Sequence, residues 1–572
     1  MVTLTIDKKT VTVPEGSTIL DAARQADIMI PTLCYLRDVN EVASCRICAV
    51  EVEGVDKLAT ACNTLAEDGM VVHTNTQRVR VTRKTNVELI LSQHVDHCVT
   101  CVRSGNCTLQ TLSKDMNIQH VPFTQNAARR PWDPALPILR DSTKCIKCLR
   151  CVSICDRVQS LNVWEVTGSG AHTTIRVRGG LRMDEVNCSL CGQCITHCPV
   201  GALRERDDTE KAFAALADPN KTVVFQVAPA VRAAWADSLG LPPELATEKR
   251  MVAAIRALGA DYVFDTSFSA DLTIMEESSE FIQRLTNPGQ YPMPMFTSCC
   301  PGWVRFLKLE FPEMVPHLST AKSPQQMFGS VTKSYFAEKI GVDPEDICCV
   351  SIMPCTAKKY ESSVREVNDA AFRDVDIVLT TRELVRMLRA FQVNVRALPE
   401  EDFDTTMGAR TGAGLIFGAA GGVMEAALRT AHYFITGQNP DPDAFRDVRG
   451  SGGWRDASFD IDGTTVRLAV ISGLNNAREL IHAIKSGRVH YDFVEVMSCP
   501  GGCAGGGGQP IRDGQELAGE RGAKLYDLDA ANPLRFSHEN PEIQTLYQEY
   551  LEKPLSSKAH HLLHSDKGEW TL

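Results

Sequence analysis

The 22 cysteines of this 572-residue chain fall into short-spaced groups, and this grouping limits the possible folds more than any other feature. In a secreted protein they would predict disulfides, whereas clusters at short spacing in a reducing compartment predict metal sites. The chain is too long for one hydrophobic core, so we expect several domains. The net charge of −11 argues against nucleic-acid binding. No apolar run is long enough to span a membrane and the N-terminal segment lacks a secretory pattern, so we expect a cytoplasmic protein without membrane association.

The first two cysteine groups differ in spacing. Residues 1–80 begin with a predicted hairpin, a helix and further strands, as in a β-grasp ferredoxin of the plant type. Their C-x10-C-x2-C-x13-C pattern suits a 2Fe–2S cluster, with zinc as the alternative, and the ligands are Cys34, Cys45, Cys48 and Cys62. Residues 81–125 are predicted to be helical, and their H-x3-C-x2-C-x5-C pattern suits a 4Fe–4S cluster with one imidazole ligand. These ligands are His94, Cys98, Cys101 and Cys107, with His97 as the competing histidine.

Residues 126–209 contain a basic, proline-rich linker and then two matching cysteine runs, the pattern of bacterial two-cluster ferredoxins. In that fold the fourth cysteine of each run binds the other cluster. One predicted 4Fe–4S site therefore comprises Cys145, Cys148, Cys151 and Cys198, and the other comprises Cys188, Cys191, Cys194 and Cys155. Together with the first two groups, these sites predict four accessory clusters in a row, which would form an electron-transfer chain. Such a chain needs a site at its end that produces or consumes electrons.

Residues 210–515 alternate strand-like apolar runs with helical patterns, which indicates an α/β domain. Three segments follow strand-like runs: TSCCPGW (297–303), MPCTAKKYE (353–361) and MSCPGGCAGGG (497–507). Their prolines and glycines allow tight loops around a buried cofactor, and a further cubane would be bound by Cys300, Cys355, Cys499 and Cys503. Cys348 and Cys349 are predicted to be buried thiols without a role. Residues 516–572 are predicted to be a polar tail packed on the catalytic domain.

These three segments resemble the signature loops of the FeFe hydrogenases, and the order of the cysteine groups resembles the large, single-chain, ferredoxin-linked clostridial type. The resemblance implies a two-lobed α/β hydrogenase domain with an H-cluster. In this cofactor a 4Fe–4S cubane is bridged by a cysteine, here Cys503, to a 2Fe unit with CO, cyanide and azadithiolate. The implied enzyme interconverts H2 with protons and electrons. The implied partners are ferredoxin or a similar small electron carrier, and the maturation enzymes that insert the 2Fe unit.

The resemblance also implies roles for single residues. Lys358 would pair with one cyanide, and the loop of Ala228, Pro229 and Ala230 would line the other. Polar neighbours of the 2Fe unit would be Ser323 and Gln325, and its apolar lining would be Met353 and Met497. The implied proton relay is Cys299, Glu277, Ser319, Glu280 and Arg284. The i, i+3, i+7 spacing of Glu277, Glu280 and Arg284 places them on one helix face.

Three alternatives compete with this interpretation. The first is a non-catalytic iron–sulfur assembly factor with a hydrogenase-like domain, which the complete loops and the N-terminal module argue against. The second is a hydrogen sensor, which Cys299 and the relay carboxylates argue against. The third is a subunit of an NADH-linked complex. The signature loops argue against that, and no glycine-rich dinucleotide fingerprint follows a strand.

Overall fold

The computed structural model describes residues 1–369, 371–450 and 452–572. Its first elements are β1 Val2–Ile6, β2 Lys9–Val13, α1 Ile19–Gln25, β3 Ala49–Val52, β4 Ala59–Thr60 and β5 Val71–His73. The strands form one sheet in the order β2-β1-β5-β3-β4, and β1 and β2 are the predicted hairpin. Thr18 and Asp21 form a capping box, so α1 begins at Ile19.

Short elements follow, as expected for a region organised by cysteine ligands. They are α2 Gln77–Leu91, α3 Thr108–Asp115, β6 Ile138–Arg140, α4 Arg150–Ser153, β7 Trp164–Thr167, β8 Thr174–Val177, α5 Gln193–Thr196 and β9 Leu203–Glu205. β6 pairs with β9 and β7 with β8, both antiparallel. The hydrophobic core of this region includes Cys155, Cys188, Cys194 and Cys198. These cysteines pack among large apolar side chains such as Trp164, Met183 and Ile195, so the candidate cluster ligands form part of the core.

The rest of the chain forms two larger sheets with their helices. The elements are α6 Thr209–Ala217, β10 Thr222–Val227, α7 Glu248–Arg256, β11 Tyr262–Asp265, α8 Thr266–Thr286, β12 Met295–Phe296, α9 Pro301–Glu310, α10 Pro324–Val331, α11 Ala337–Ile340, β13 Ile347–Met353, α12 Lys358–Glu361, β14 Ile377–Thr380, α13 Thr381–Ala390, α14 Gly412–Ile416, α15 Gly422–Thr436, β15 Trp454–Ile461, β16 Thr464–Ser472, α16 Leu474–Lys485, β17 Phe493–Met497, α17 Ala518–Ala531, α18 Pro541–Leu546 and α19 Ser557–Leu563.

The first of these sheets has the order β11-β10-β13-β14 and is fully parallel. The second has the order β12-β17-β16-β15, and only its edge strand β15 is antiparallel to its neighbour. The strand-like apolar runs predicted in residues 210–515 form β10, β11, β13, β14, β16 and β17, whereas β15 was not predicted. β13 is buried along its whole length, as parallel strands covered on both faces usually are, and it contains the buried Cys348 and Cys349. The signature loops begin at the carboxyl ends of β12, β13 and β17, where α/β folds place their sites.

The C-terminal segment packs more deeply than the predicted outer tail. Leu525, Ile543 and Leu563 are each 0% exposed, and the latter two belong to the same core cluster as β10 and β13. Asp529 on α17 accepts hydrogen bonds from the buried Arg429 on α15. The segment therefore contributes to the core of the α/β region.

α8 is a buried 21-residue helix that carries the predicted relay residues Glu277, Glu280 and Arg284. It confirms the helix on which the sequence spacing places these three residues. Nowhere in the described residues is a helix both long and apolar enough to cross a bilayer.

Candidate active site and metal centres

Four cysteines from the ends of three strands converge. Cys300 follows β12 and caps α9, Cys355 follows β13, and Cys499 and Cys503 follow β17. After burial, the neighbouring thiols Cys191, Cys355, Cys300 and Cys503 raise the pKa of Cys499 well above its usual value, so the other three members of the set lie close to it. The Cys300 thiol also donates a 3.3 Å hydrogen bond to Ser498, joining the first and third loops. The structure therefore brings together the four residues that the sequence singled out.

This donor set fits an iron–sulfur cluster. Burial raises the pKa of Cys503 to about 12, and the nearby Lys358 only partly offsets this. A ligand to iron must be a thiolate, so bound iron would supply the positive charge that four buried thiolates require. The third loop also lies tightly against the second, because a Cβ at Gly506 would be 2.1 Å from the carbonyl oxygen of Pro354. Only glycine fits there, so the glycine-rich sequence follows from close packing around the cysteines.

Lys358 lies beside these cysteines and is held by a carboxylate. Its Nζ donates to the carbonyl oxygen of Cys299 at 3.1 Å and to Glu361 Oε2 at 2.8 Å. Ser323 Oγ and Gln325 Nε2 donate to the same oxygen at 2.9 and 3.1 Å. Burial lowers the pKa of Lys358, but Glu361 and the neighbouring cysteines outweigh it, so the net pKa is raised. The site thus contains a permanent ammonium group.

Glu361 is a site residue that the sequence analysis missed. It is 0% exposed, and its Oε1 has no hydrogen-bond partner among the described residues. Its i, i+3 spacing from Lys358 is the signal that could have identified the pair. A carboxylate that accepts three donors on one oxygen fixes the orientation of all three side chains.

The predicted apolar lining is buried at strand ends beside the cysteines. Met353 ends β13 and Met497 ends β17, two residues before Cys355 and Cys499 respectively. The loop after β10 holds the other predicted residues, which are Ala228, Pro229 and Ala230. Ala230 belongs to a small apolar cluster against which Cys503 packs. These side chains exclude water from the neighbourhood of the thiols.

Four of the predicted relay residues, Glu277, Ser319, Glu280 and Arg284, are neighbours, and Glu277 lies close enough to Cys299 to affect its pKa. Arg284 Nη2 donates to Glu280 Oε1 at 2.6 Å, and the Ser319 hydroxyl donates to Glu280 Oε2 at 2.7 Å. Ser319 also faces the Glu277 carboxyl, whose Oε2 has no hydrogen-bond partner within the described chain. Burial, and then Glu280, raise the pKa of Glu277 to about 8. Burial, and then Glu277, raise the pKa of the Cys299 thiol well above its usual value.

Comparison with known proteins identifies the family. Residues 221–507 match the iron only hydrogenase large subunit, C-terminal domain, and residues 515–566 match the iron hydrogenase small subunit. The NADP-reducing hydrogenase subunit HndD of Solidesulfovibrio fructosivorans is 47% identical over 99% of this chain and 98% of its own length. This chain belongs to the iron-only hydrogenase family.

Two further comparisons agree with this assignment. Iron hydrogenase 1 of Clostridium pasteurianum is 39% identical over 96% of the hydrogenase chain and 97% of its own. A structure of the apo [FeFe]-hydrogenase HydA1 from Chlamydomonas reinhardtii is similar with a TM-score of 0.57 and 44% identity, covering 63% of this chain and 98% of that one. The protein is therefore an oxidoreductase that acts on H2 with electron transfer through iron–sulfur sites. The alternative of a non-catalytic assembly factor is less supported.

The N-terminal cysteines of the hydrogenase form two pairs. Residues 1–77 match a 2Fe-2S iron-sulfur cluster binding domain. Hydrogen bonding with Cys45 lowers the pKa of Cys34, and hydrogen bonding with Cys62 lowers the pKa of Cys48. In a 2Fe–2S cluster with four thiolate ligands each iron takes two of them, so two thiol pairs fit its geometry.

The structure distinguishes the two candidate histidines of the second group. Residues 83–122 match the NADH-ubiquinone oxidoreductase-G iron-sulfur binding region. His94 is buried with its Nδ1 3.0 Å from the carbonyl oxygen of Lys144, whereas His97 is exposed. A hydrogen bond from Nδ1 leaves the Nε2 lone pair for a metal, which favours His94. The half-buried cysteines of this group are Cys98, Cys101 and Cys107.

The two ferredoxin-like runs cross over in the predicted way. Residues 144–202 match a 4Fe-4S dicluster domain. After burial, Cys198 raises the pKa of Cys148 and Cys188 raises the pKa of Cys155. The fourth cysteine of each run therefore lies beside cysteines of the other run, as the two-cluster pattern requires.

The accessory groups contact one another in a branched order, not in the predicted row. Asn40 Nδ2 donates to the carbonyl oxygens of Cys34 and Cys148 at 2.6 and 3.0 Å, which joins the N-terminal group to the first ferredoxin-like site. The His/Cys group reaches the same site, because a Cβ at Gly201 would lie 2.6 Å from Cys101 Sγ. Two outer groups thus meet one inner site.

The second ferredoxin-like site adjoins the terminal cysteines. Cys499 Sγ lies 3.9 Å from the carbonyl oxygen of Cys191. Thr356, next to Cys355, donates to the carbonyl oxygen of Leu190 at 2.7 Å. Direct contact between these loops links the accessory region to the catalytic region.

Proposed function

We propose that the hydrogenase catalyses the reversible reaction H2 = 2 H+ + 2 e− at a centre held by the four converging thiolates. The proposal depends on the convergence of Cys300, Cys355, Cys499 and Cys503 beside the buried ammonium of Lys358. They would hold the cubane of an H-cluster, with Cys503 shared by a 2Fe unit bearing CO, cyanide and azadithiolate. When bound, this group supplies the redox chemistry at which H2 is formed or split.

The protein's own part in the reaction is to orient that group and exclude water from it. Lys358 would offer its ammonium to an anionic cyanide ligand, and Glu361 Oε2 orients that ammonium from 2.8 Å. Ser323 and Gln325 are polar neighbours fixed by the same carboxylate. The apolar lining keeps the site dry, and it consists of Ala228, Pro229, Ala230, Met353 and Met497.

Protons would move along Cys299, Glu277, Ser319, Glu280 and Arg284. An efficient acid–base group has a pKa near the working pH, and Glu277 at about 8 meets this condition. The Ser319 hydroxyl lies between the two carboxyls and passes a proton by donating to one while it accepts from the other. Arg284 would hold the Glu280 carboxyl in position through hydrogen bonds from Nε and Nη2 at 3.1 and 2.6 Å.

Electrons would use one 2Fe–2S and three accessory 4Fe–4S clusters. Their ligands are the sets predicted from the sequence. The branched contacts favour two entry points, at the N-terminal and His/Cys groups, that meet at the site of Cys148 and continue through that of Cys191 to Cys499.

We assign the domains accordingly. The range 1–80 is the 2Fe–2S domain, 81–125 the His/Cys domain, 126–209 the two-cluster domain, 210–515 the H-cluster domain, and 516–572 the small-subunit-like segment. This gives a multidomain chain with a β-grasp ferredoxin start and a two-lobed α/β hydrogenase domain. We place it in the cytoplasm, where maturation enzymes would insert the 2Fe unit.

The proposed electron partner is ferredoxin. At ~59 mV per pH unit the proton/hydrogen couple lies near −0.41 V at pH 7, and plant-type ferredoxins lie at about −0.4 V, so either direction is feasible. A second candidate is a subunit role in an NADP-reducing complex. The 47% identity to HndD over both full lengths favours it.

The catalytic proposal is tested by hydrogen production from reduced methyl viologen with the matured protein. We expect activity in the wild type, strong loss in Cys299→Ala, and full activity in the matched control Cys349→Ala, which alters a buried cysteine inside β13. Infrared bands of CO and cyanide report that the cluster is present. A wild-type protein that shows the full set of CO and cyanide infrared bands but makes no hydrogen would refute the proposal.

The partner is tested separately. Reduced ferredoxin should support hydrogen production by the isolated chain. The isolated chain could instead turn over with methyl viologen but not with ferredoxin, and regain physiological turnover only with a co-purified NADP-binding subunit. In that case the subunit role in an NADP-reducing complex replaces the ferredoxin-linked role.

A further inference from the structure

Lys567 is a buried cation with an unusual set of partners. It is 3% exposed, and its Nζ donates to the carbonyl oxygens of Thr320 and Ala321 at 3.1 and 2.9 Å and to Ser565 Oγ at 3.0 Å. Three acceptors match the three protons of an ammonium group. Among the described residues no carboxylate lies within ion-pair distance of it. A buried charge without a direct counter-ion is costly, so its retention calls for a reason.

The peptide that Lys567 holds is part of the proton relay. Between Ser319 and Ala321 the chain donates twice to Glu280, from the Ser319 hydroxyl at 2.7 Å and from the Thr320 amide at 3.1 Å to Oε2. The C-terminal segment makes a second contact with these residues, because the Thr320 hydroxyl lies 2.8 Å from Nδ1 of the buried His564. The donors to Glu280 are therefore fixed from the C-terminal side.

The charged groups around Lys567 belong mainly to the relay and to the Lys358 site. Those facing it or its bound peptide are Glu277, Glu280, Arg284, Lys322, Glu361 and His564. Burial lowers the pKa of Lys567 to about 7, and Glu361 and then Glu280 oppose this. The surrounding carboxylates therefore favour the charged form of Lys567.

We propose that Lys567 is a positioning residue of the hydrogenase: its ammonium holds the Thr320–Ala321 peptide in place, and the Thr320 amide of that segment donates to Glu280. The inference rests on the relay proposed above. It assigns the C-terminal segment a part in proton transfer, in addition to its part in the core. An open surface cavity of ≈ 710 Å³ lined by Thr320, His564 and Lys567 gives water access to this end of the relay.

The test compares the pH profile of hydrogen oxidation by matured wild type and Lys567→Met. Without the positive charge the relay carboxylates bind protons more tightly. The acid limb of the profile, where the rate falls as pH is lowered, should therefore move to higher pH by on the order of half a unit. The difference should be largest below about pH 7, where the ammonium is charged. The rate should fall roughly tenfold as the peptide loosens. Lys567→Arg keeps the charge and should restore the position of the limb.

Lys308→Met is the matched control. Lys308 also binds backbone carbonyls of the C-terminal segment, those of Lys567, Gly568 and Trp570 at 2.8, 2.8 and 2.7 Å, but does not contact the relay. It should lower thermal stability without moving the limb. The positioning role of Lys567 is overturned if the acid limb shifts equally in Lys308→Met, or if it does not shift in Lys567→Met.

A second readout does not depend on turnover. Infrared difference spectra of protein lacking the 2Fe unit report the C=O stretch of protonated buried carboxyls, and this titration should move upward in Lys567→Met. If that variant does not fold, Lys567→Gln gives the same comparison. If Cys299→Ala and Glu277→Gln remain fully active, the proposed relay itself is wrong. If those two variants are inactive but the carboxyl titration of Lys567→Met equals that of the wild type, only the role of Lys567 is rejected.

Discussion

Replacing Glu277 by glutamine should make the hydrogenase more stable and much less active. The carboxyl is fully buried, and its pKa of about 8 against an ordinary 4.5 means that ionising it costs about 5 kcal/mol more than in water. At pH 7 about nine in ten of these groups are protonated. Glutamine keeps the shape but cannot transfer a proton, so turnover should fall about 10²- to 10⁴-fold.

The stability effect has a definite pH dependence. Because the folded-state pKa of Glu277 lies above the unfolded one, the folded protein holds a proton between pH 4.5 and about 8 that the unfolded chain has lost. The carboxyl therefore destabilises the fold increasingly as pH rises through this window. Glutamine cannot ionise, so it removes that cost. Its buried amide is imperfectly hydrogen-bonded, and this destabilises the fold by about 1–3 kcal/mol. The net effect should be a loss of about 1–3 kcal/mol at pH 4.5 and a gain of about 2–4 kcal/mol at pH 8.

Anaerobic calorimetry from pH 5 to 8.5 and methyl viologen assays on the same preparations check both effects. The matched control is Glu276→Gln, a buried glutamate on the same helix that accepts hydrogen bonds from Tyr547 and the Leu555 amide. It should lose stability at every pH and keep the activity of a protein with intact CO and cyanide bands. A Glu277→Gln variant that is destabilised at pH 8, or that turns over normally, would refute the reasoning.

Three other predictions concern the neighbouring sites. Lys359 is fully buried and donates to Asp208 and Glu383 at 2.7 and 3.0 Å, so Lys359→Met should cost roughly 3–5 kcal/mol, seen as a lower urea midpoint, with the infrared bands unchanged. Its neighbour Lys358 should behave in the opposite way: Lys358→Met should lose or shift the cyanide bands while the urea midpoint moves less. Cys45→Ala should abolish the electron paramagnetic resonance signal of the reduced 2Fe–2S cluster while methyl viologen still supports turnover. A retained signal would contradict the assignment of that ligand.

Local spacing predicted the cysteine groups because metal ligands in this chain lie close in sequence. Long-range contacts could not be predicted in this way: Asn40 meets Cys148 across 108 positions, and that contact makes the accessory order branched. Lys567 was overlooked for the same reason. β15 could have been found, since Asp462 and Gly463 both have positive φ and form the Asp-Gly turn typical of a two-residue hairpin.

The geometry also explains how electron and proton transfer support each other. Electrons would arrive through the Cys191–Cys499 contact, and protons through Cys299 and Glu277, which lie near Cys300 and Cys503 of the same thiolate group. An added electron at the centre places negative charge near Glu277 and raises its pKa further, so a proton follows the electron. A carboxyl with a pKa near 4.5 would stay ionised throughout and would not respond. Because burial already holds Glu277 at about 8, a modest change of charge shifts its protonation within the working range of the enzyme.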